Sequence, residues 1–232
     1  MRESNRGPQL AKSERRFRVS VETRGDSPSR VIINDMQKIK YFWGQHKLDI
    51  LLFLAIIALT AGIELWMGRS LLGPDGRFGW WDGDIWSSEN SQRVADAYSF
   101  SHIIHGILFY AFLWWVARKM PRNYRFFIAL LLEVGWEILE NSPLIINRYR
   151  EATIAQGYVG DSVLNSSCDV LMMALGFLFA YRAKIWMSVT AVIAMEVGCL
   201  LWVKDNLTLN VIMLVKPIEA IKMWQSSGQP LL

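Results

Sequence analysis

Cysteine is scarce in this sequence, which has only two among its 232 residues, Cys168 and Cys199. Two cysteines exclude a disulfide scaffold, and both lie in apolar blocks, where a thiol behaves as a small hydrophobic side chain. We therefore expect no redox chemistry. The sequence also lacks a Cys/His finger, a glycine-rich phosphate loop, a nucleophile elbow and any internal repeat, so the common motif-based functions are excluded.

Hydrophobic residues make up 52% of the chain and are concentrated in long blocks. Crossing a hydrocarbon layer about 30 Å thick takes roughly 20 mostly apolar residues in a helix. Five blocks meet this requirement, at residues 48–67, 99–117, 124–142, 162–181 and 185–203. The sequence predicts an all-α integral membrane protein, built as a bundle of about five transmembrane helices.

Three regions are expected along the chain. Residues 1–47 form a basic tail rich in Arg, Ser and Glu, which we predict to be mostly disordered and cytoplasmic. Residues 48–203 form the transmembrane bundle. Residues 204–232 are predicted to be a periplasmic or interfacial segment, because the apolar stretch 207–215 is too short to cross and an amphipathic stretch follows it.

The basic residues predict the orientation. The tail, the connection between the second and third predicted helices and the connection between the fourth and fifth hold 17 of the 25 Lys and Arg residues. The positive-inside rule therefore places the N-terminus in the cytoplasm and the C-terminus outside. The net charge of +4 fits a membrane better than nucleic acid. The expected partners are the lipid bilayer and, through the tail, anionic lipid; nucleic acid is not expected, and the oligomeric state is left open.

Ionisable side chains inside the apolar blocks are the main functional signal, because each is costly in a membrane. Three of the predicted helices carry a polar stripe at helical spacing. These stripes are Ser99, His102 and His105; Glu133, Glu137 and Glu140; and Asp161, Asn165 and Asp169. Turned inward, the stripes would line one polar pocket that opens to the periplasmic side.

The pocket suggests metal-assisted chemistry. His102 and His105 are the predicted metal ligands, and mixed imidazole and carboxylate ligation suits a divalent metal such as zinc. Such an ion could activate water, so the predicted function is the binding or hydrolysis of a lipid or envelope precursor in this pocket. The predicted catalytic carboxylates are Glu137, Glu140 and Asp169, and the predicted substrate-binding residues are Arg148, Asn141, Asp161 and Asn165.

Other interpretations of the same residues remain open. One alternative is a proton- or cation-linked transporter in which the carboxylates form a relay, and another is a non-catalytic assembly or lipid-binding factor. For a single residue such as Asn165, a hydrogen bond between helices, worth about 0.6 kcal/mol on average, is the simpler explanation. Two histidines together with a stripe of three carboxylates exceed what such bonding requires, so we favour a functional pocket.

Three sequence runs resemble an uncharacterised family of bacterial multi-pass inner-membrane proteins. They are FSHIIHG, LLLEVGWEILENSPLIINRYREATIAQGYVGDSVLNSSCD and DNLTLNVIMLVKPIEAIKMWQ. The likeness covers about residues 45–225 and leaves out the basic tail. It implies a location in the bacterial inner membrane, and it carries no established activity.

A second likeness is to the VanZ-like membrane proteins of teicoplanin resistance. It rests on Glu137, an arginine at 148 or 150, Gly160 with Asp161, and the run DVLMMALGFLFA from Asp169. Two positions depart from that pattern, since Glu140 and Asn141 stand where Glu-Gln is typical and Met173 stands where an Asn is usual. This resemblance implies an envelope or glycolipid-related role.

Overall fold

The computed structural model describes residues 28–155 and 157–227, and their side chains from residue 44 onward apart from residue 45. Eight helices and one pair of two-residue strands occur in this part of the chain. The helices are α1 Pro28–Trp66, α2 Ser99–Val116, α3 Arg122–Glu140, α4 Pro143–Ala152, α5 Val163–Arg182, α6 Ile185–Val203, α7 Leu207–Val215 and α8 Glu219–Ser226. The strands β1 (Trp81–Asp82) and β2 (Ala95–Asp96) pair in parallel. The predicted all-α class is confirmed.

Helix ends follow ordinary capping chemistry. Pro143 occupies the first turn of α4, where its missing N–H costs nothing. The Ser162 hydroxyl accepts a hydrogen bond from the Asn165 N–H at the start of α5, and the Asn206 side chain accepts one from the Leu209 N–H at the start of α7. Such caps satisfy backbone donors that have no partner inside the helix.

Four helices in the described part of the chain are long and apolar enough to cross a bilayer. They are His46–Trp66 within α1, then α2, α5 and α6. The predicted count of five is not confirmed, because the remaining predicted span, 124–142, corresponds to α3. That helix carries two arginines and three glutamates among its 19 residues, which lowers its mean hydropathy.

The structure describes only part of the predicted basic tail. The chain divides after His46 into two units. Residues 1–27, where most of the predicted disorder falls, lie outside the described residues. Residues 28–46 of the same unit are helical, as the first part of α1. That residues 1–47 are mostly disordered and cytoplasmic stays a prediction.

Helices α2 and α5 make the closest contact in the second unit, residues 47–232. A Cβ atom on Gly106 would lie 2.0 Å from the carbonyl oxygen of Met173, and one on Gly176 would lie 2.0 Å from that of Ile103. Small residues at such crossings let two membrane helices pack backbone to backbone. The adjoining apolar core comprises Leu113, Ala129, Leu130, Val134, Val170, Met173 and Phe177.

Helix α3 runs antiparallel to α2. His102, near the start of α2, contacts Glu133 and Glu137 in the second half of α3, whereas Leu113, near the end of α2, packs in the apolar core with residues 129 and 130. The side chains of α6 and of the first candidate span are mostly exposed within the chain. Exposed apolar faces of this extent are expected where lipid is the solvent.

Ion pairs and hydrogen bonds hold the long connection between α1 and α2 in place. Arg93 forms ion pairs with Asp75 at 2.7 Å and Glu89 at 2.9 Å. The hydrogen bond from Arg93 lowers the pKa of Asp75. The Gln92 side chain donates a hydrogen bond of 2.8 Å to the Gly160 carbonyl. The connection therefore packs against the segment that precedes α5.

The C-terminal helices pack against α4. Arg148 donates a hydrogen bond of 2.8 Å from Nε to the carbonyl of Leu214. The Tyr149 hydroxyl donates one of 3.0 Å to Asn210 Oδ1, and Lys222 donates to the carbonyl of Glu151. Helices α7 and α8 are thus joined by hydrogen bonds to the rest of this unit, and the buried side chain of Met213 shows that part of α7 is covered by protein.

Candidate functional site

Two histidines of α2 meet one glutamate of α3. His102 Nδ1 lies 2.6 Å from Glu133 Oε1, and His105 Nδ1 lies 3.1 Å from Glu133 Oε2. The Glu133 side chain is fully buried. The spacing of three residues on α2 brings the imidazoles to one face, with ring centroids 5.3 Å apart. The carboxylate therefore bridges both rings.

Two further carboxylates of α3 extend this cluster. Glu137 Oε1 lies 3.3 Å from His102 Nδ1, and Glu140 follows one turn later. Potential ligand atoms of His102, His105 and Glu133 lie within 4.8 Å of one another, as do those of His102, Glu137 and Glu140. We call these five residues the His/Glu cluster. Both of its triads contain His102, so a metal ion bound by either triad would contact that imidazole.

Glu137 is the most unusual member of the His/Glu cluster. It is fully buried, and neither of its side-chain oxygens accepts a hydrogen bond from the described residues. Buried polar atoms are nearly always paired, because leaving one unsatisfied costs about 1–3 kcal/mol and a charged group costs more. An orphaned carboxylate beside the imidazole of His102 is a feature expected of a ligand-binding or catalytic centre.

Asp169 of α5 borders the His/Glu cluster from another side. Its Oδ2 lies 3.8 Å from His102 Nε2, and its Oδ1 accepts a hydrogen bond of 3.0 Å from the Ser99 hydroxyl. The backbone N–H of Ser99 in turn donates to Asp96 Oδ1. The side chain that faces His102 is thereby held by the first turn of α2.

A cavity of about 350 Å³ opens beside these residues. Its lining includes both histidines and four carboxylates, contributed by Glu140, Asp161, Asp169 and Asp205. Five aromatic rings complete much of the wall, those of Tyr98, Phe109, Trp136, Tyr149 and Tyr158. No Lys or Arg is among the described lining residues. The cavity thus combines a polar, acidic region with aromatic and aliphatic walls.

Asn141 and Asp161 form a buried hydrogen-bonded pair beside the cavity. Asn141 donates from Nδ2 to Asp161 Oδ2 at 3.0 Å and to the Ser166 hydroxyl at 3.0 Å, and it accepts from the Asp161 N–H at 2.7 Å. The Tyr158 hydroxyl donates to Asp161 Oδ1 at 2.8 Å. Burial raises the pKa of Asp161 to about 6 although these hydrogen bonds act to lower it.

The predicted substrate-binding residues are placed differently from one another. Asp161 and Asn165 line the cavity, and Asn165 also donates a hydrogen bond of 2.9 Å to the Arg93 carbonyl. Asn141 lies behind Asp161. Arg148 is not among the cavity-lining residues, because its guanidinium is hydrogen-bonded to backbone carbonyls at the end of α7. The structure therefore does not bring Arg148 together with the His/Glu cluster.

Sequence reasoning missed a second group of cavity residues around Asp205. This carboxylate follows α6; its Oδ2 accepts a hydrogen bond of 3.2 Å from the Tyr98 hydroxyl, and its Oδ1 accepts one of 3.0 Å from Gln225 of α8. It is 107 residues from Tyr98 along the chain. The one available signal was its position just after an apolar block. Burial raises the pKa of Asp205 to about 6.

This raised pKa predicts a pH-dependent stability. The pKa of Asp205 is about 6 in the folded protein and 3.8 ordinarily, so the folded state favours the protonated carboxyl group. The resulting stabilisation of the folded state is fully present below pH 3.8 and is lost as the pH rises through 6. The shift corresponds to about 3 kcal/mol. The free energy of unfolding of the Asp205→Asn variant, relative to that of the wild type, should therefore increase by up to this amount as the pH is raised from 4 to 7. Chemical unfolding in detergent measures this difference. The facing groups Tyr98, Cys199, Asn210 and Gln225 are unchanged in the variant; a gain independent of pH would contradict the assignment.

Comparison with known proteins places the chain in a family. The family model described as "Protein of unknown function (DUF2585)" matches residues 64–227. A UPF0314 protein of Sphingopyxis alaskensis is 52% identical over 174 residues, covering 75% of this chain and 93% of the relative. One of Novosphingobium aromaticivorans is 49% identical over 181 residues, with 75% and 89% covered. One of Paracoccus denitrificans is 48% identical over 172 residues, with 74% and 89% covered.

These relatives bear out the resemblance to an uncharacterised bacterial family. The weaker likeness to VanZ-like proteins is not shown by them or by the family model. No solved structure matches the chain. The family model covers most of the sequence and includes every residue of the His/Glu cluster, and the chain belongs to this DUF2585 family of unknown function.

Proposed function

We propose that this protein is a metal-dependent hydrolase that acts on a lipid or a lipid-linked envelope precursor within the membrane. The observation that carries the proposal is the convergence of two imidazoles and three glutamates from α2 and α3, arranged as two overlapping triads of possible ligands. It is supported by the orphaned carboxylate of Glu137 and by the adjoining cavity.

We assign the metal to His102, His105 and Glu133. Two imidazole nitrogens and one carboxylate form a ligand set that catalytic zinc sites use, with a further position left for water. Such mixed ligation favours zinc or another transition ion over magnesium or calcium, which prefer oxygen ligands alone. The bound ion would lower the pKa of its water and supply a nucleophile at neutral pH.

The other carboxylates then take different roles. Glu137 lies beside His102 and has no competing hydrogen bond from the described residues, so it is assigned as the general base for the attacking water. Asp169 faces Nε2 of His102 and would hold the orientation of that ring. Glu140 lines the cavity and is assigned to proton transfer at the leaving group.

The cavity walls favour an amphipathic substrate. Aromatic and aliphatic side chains contribute beside the carboxylates, so a polar headgroup could approach the His/Glu cluster while a chain lies along the apolar wall. Asp161 and Asn165 would contact the substrate directly. Asn141 would position Asp161, and Arg148 would position α7, which contributes Leu207 to the lining.

Transport is less well supported by the same contacts. A proton or cation path needs polar groups through the full thickness of the bundle. In the described helices, the half beyond the His/Glu cluster is filled by the apolar core, whose members include Leu130, Met173 and Phe177. A pocket accessible from one side suits hydrolysis or binding better than translocation.

Metal analysis tests the proposal directly. The full-length protein, purified in detergent, should contain about one zinc or similar ion per chain. The His102→Ala/His105→Ala variant should lose it, whereas His46→Ala, which removes the other histidine of the chain, should retain it. Absence of metal from the wild type, also after exposure to zinc and buffer exchange, would overturn both the metal site and the hydrolase.

Catalysis is tested with the Glu137→Gln variant. This change keeps the size of the side chain and removes its basicity, so the rate of hydrolysis should fall by about 10²–10⁴ while the metal content stays unchanged. The assay is metal-dependent release of products from total envelope lipid extract, followed by mass spectrometry. If Glu137→Gln hydrolyses as fast as the wild type, the assignment of the general base is wrong.

We further propose that the protein lies in the bacterial inner membrane with residues 1–47 in the cytoplasm and residues 204–232 outside. This orientation requires α3 to cross together with the four apolar helices. In a background of Cys168→Ala and Cys199→Ala, Lys119→Cys should then be labelled by an impermeant thiol reagent only from the cytoplasmic side, and Lys216→Cys only from outside. Labelling of both from one side would mean that α3 does not cross.

A further inference from the structure

A second groove lies at the opposite end of the helices from the His/Glu cluster. It has a volume of about 550 Å³, within the range of about 300–1,000 Å³ for small-molecule sites. Its walls come from the second half of α2, the end of α5 and the start of α6, and include Leu108, Trp115 and Val192. The lining is apolar apart from Ser188, the tyrosine hydroxyls and the indole N–H groups of the two tryptophans.

Three cations stand at the rim of this groove. The guanidinium of Arg118 lies 4.4 Å from the ring centre of Trp114, and that of Arg122 lies 4.3 Å from the ring centre of Tyr181. Both rings line the groove. Lys184 lies between two lining residues, 183 and 185, at the start of α6. All three cations are exposed.

The charge around the groove has one sign. No Asp or Glu occurs between residues 97 and 132 or between residues 170 and 195, the sequence segments that contain its walls. A guanidinium that stacks on an aromatic ring keeps its edge N–H groups free to donate, and its planar fork matches two oxygens of a phosphate. The rim is therefore complementary to an anionic headgroup.

We propose that this groove binds an anionic phospholipid of the surrounding leaflet, with one acyl chain along the apolar walls and the phosphate held by Arg118 and Arg122. The acyl chain accounts for the apolar lining, and the headgroup accounts for the cations at one end only. This lipid site is separate from the His/Glu cluster and does not depend on its activity.

Lipid binding to the full-length protein tests the site. The probes are phosphatidylglycerol and phosphatidylcholine with the same acyl chains, titrated into detergent-solubilised protein and followed by native mass spectrometry. Phosphatidylglycerol should bind more tightly to the wild type. Arg118→Ala/Arg122→Ala should weaken its binding about 30-fold, since each cation near an anionic lipid contributes roughly a fivefold change in affinity. Lys119→Ala/Lys216→Ala, which removes the same charge, should have little effect.

A second pair of variants tests the groove itself. Val192→Trp fills it and should abolish the preferential binding with every rim cation intact, whereas Val197→Trp, on the same helix and outside the groove, should leave it unchanged. Circular dichroism checks that both variants fold. Equal binding of the two lipids, or binding unaffected by Val192→Trp, would overturn the proposal. So would a wild-type dimer without bound lipid that Val192→Trp converts to a monomer, because the occupant would then be a second copy of the chain.

Discussion

Replacing Gly106 and Gly176 together by alanine is expected to abolish the folded state. At each position the new Cβ would lie 2.0 Å from a backbone carbonyl oxygen of the facing helix. Real Cβ atoms do not approach that closely, and a backbone atom cannot rotate away as a flexible side chain would. Helices α2 and α5 would have to separate, and a single overpacked site already costs about 1–3 kcal/mol, occasionally more.

The chain offers matched controls for this prediction. Gly135 and Gly198 also lie within helices, and a Cβ atom at either would meet nothing within 4 Å. Gly135→Ala/Gly198→Ala should fold like the wild type. The measurement is the elution profile in detergent together with the thermal unfolding midpoint. An unchanged midpoint for Gly106→Ala/Gly176→Ala would show that the two helices do not pack as described.

The glycine contact also positions the candidate site. Gly106 directly follows His105, and Gly176 lies two turns beyond Asp169. The helix crossing therefore sets the distance between the histidines of α2 and the carboxylate of α5. His102 and Asp169 face each other across this crossing. Replacing either glycine alone should therefore displace His102 more than it displaces distant lipid-facing residues.

Local patterns predicted the helices well. The predicted span 185–203 coincides with α6, and 162–181 is displaced by one residue from α5. The apolar character of a span is a local property of about 20 consecutive residues, so one sequence contains the necessary information. The polar stripes could be predicted for the same reason. Helical geometry alone places residues 102 and 105 on one face of α2, and residues 133, 137 and 140 on one face of α3.

Which stripes meet could not be predicted in the same way. Contacts between helices depend on packing, and the small residues that determine it, Gly106 and Gly176, looked unremarkable in the sequence. The sequence singled out Glu137 as one of three similar glutamates, but its lack of hydrogen-bond partners depends on neighbours from other helices. Arg148 was predicted to bind substrate, yet its guanidinium donates a hydrogen bond to the backbone carbonyl of Leu214 at the end of α7, 66 residues away in the chain.

Metal binding should stabilise the protein strongly. An ion that binds only the folded state adds about 4 kcal/mol to the free energy of unfolding when its free concentration is a thousand times the dissociation constant. Glu133 is buried, and its carboxylate lies close to both histidines, so the fold itself brings these three ligands together. Zinc added to metal-free protein should therefore raise the thermal unfolding midpoint.

Two variants separate the ligands from the proposed base. Glu133→Gln should lose most of the zinc-dependent stabilisation, because an amide is a poor zinc ligand compared with a carboxylate. Glu137→Gln should retain it, since Glu137 is assigned to water activation and not to the ligand triad. If instead only Glu137→Gln loses the zinc-dependent stabilisation, the ion is held by the other triad, His102, Glu137 and Glu140. If zinc shifts the midpoint of none of these proteins, including the wild type, the His/Glu cluster does not bind zinc, and its role is to hold α2 against α3.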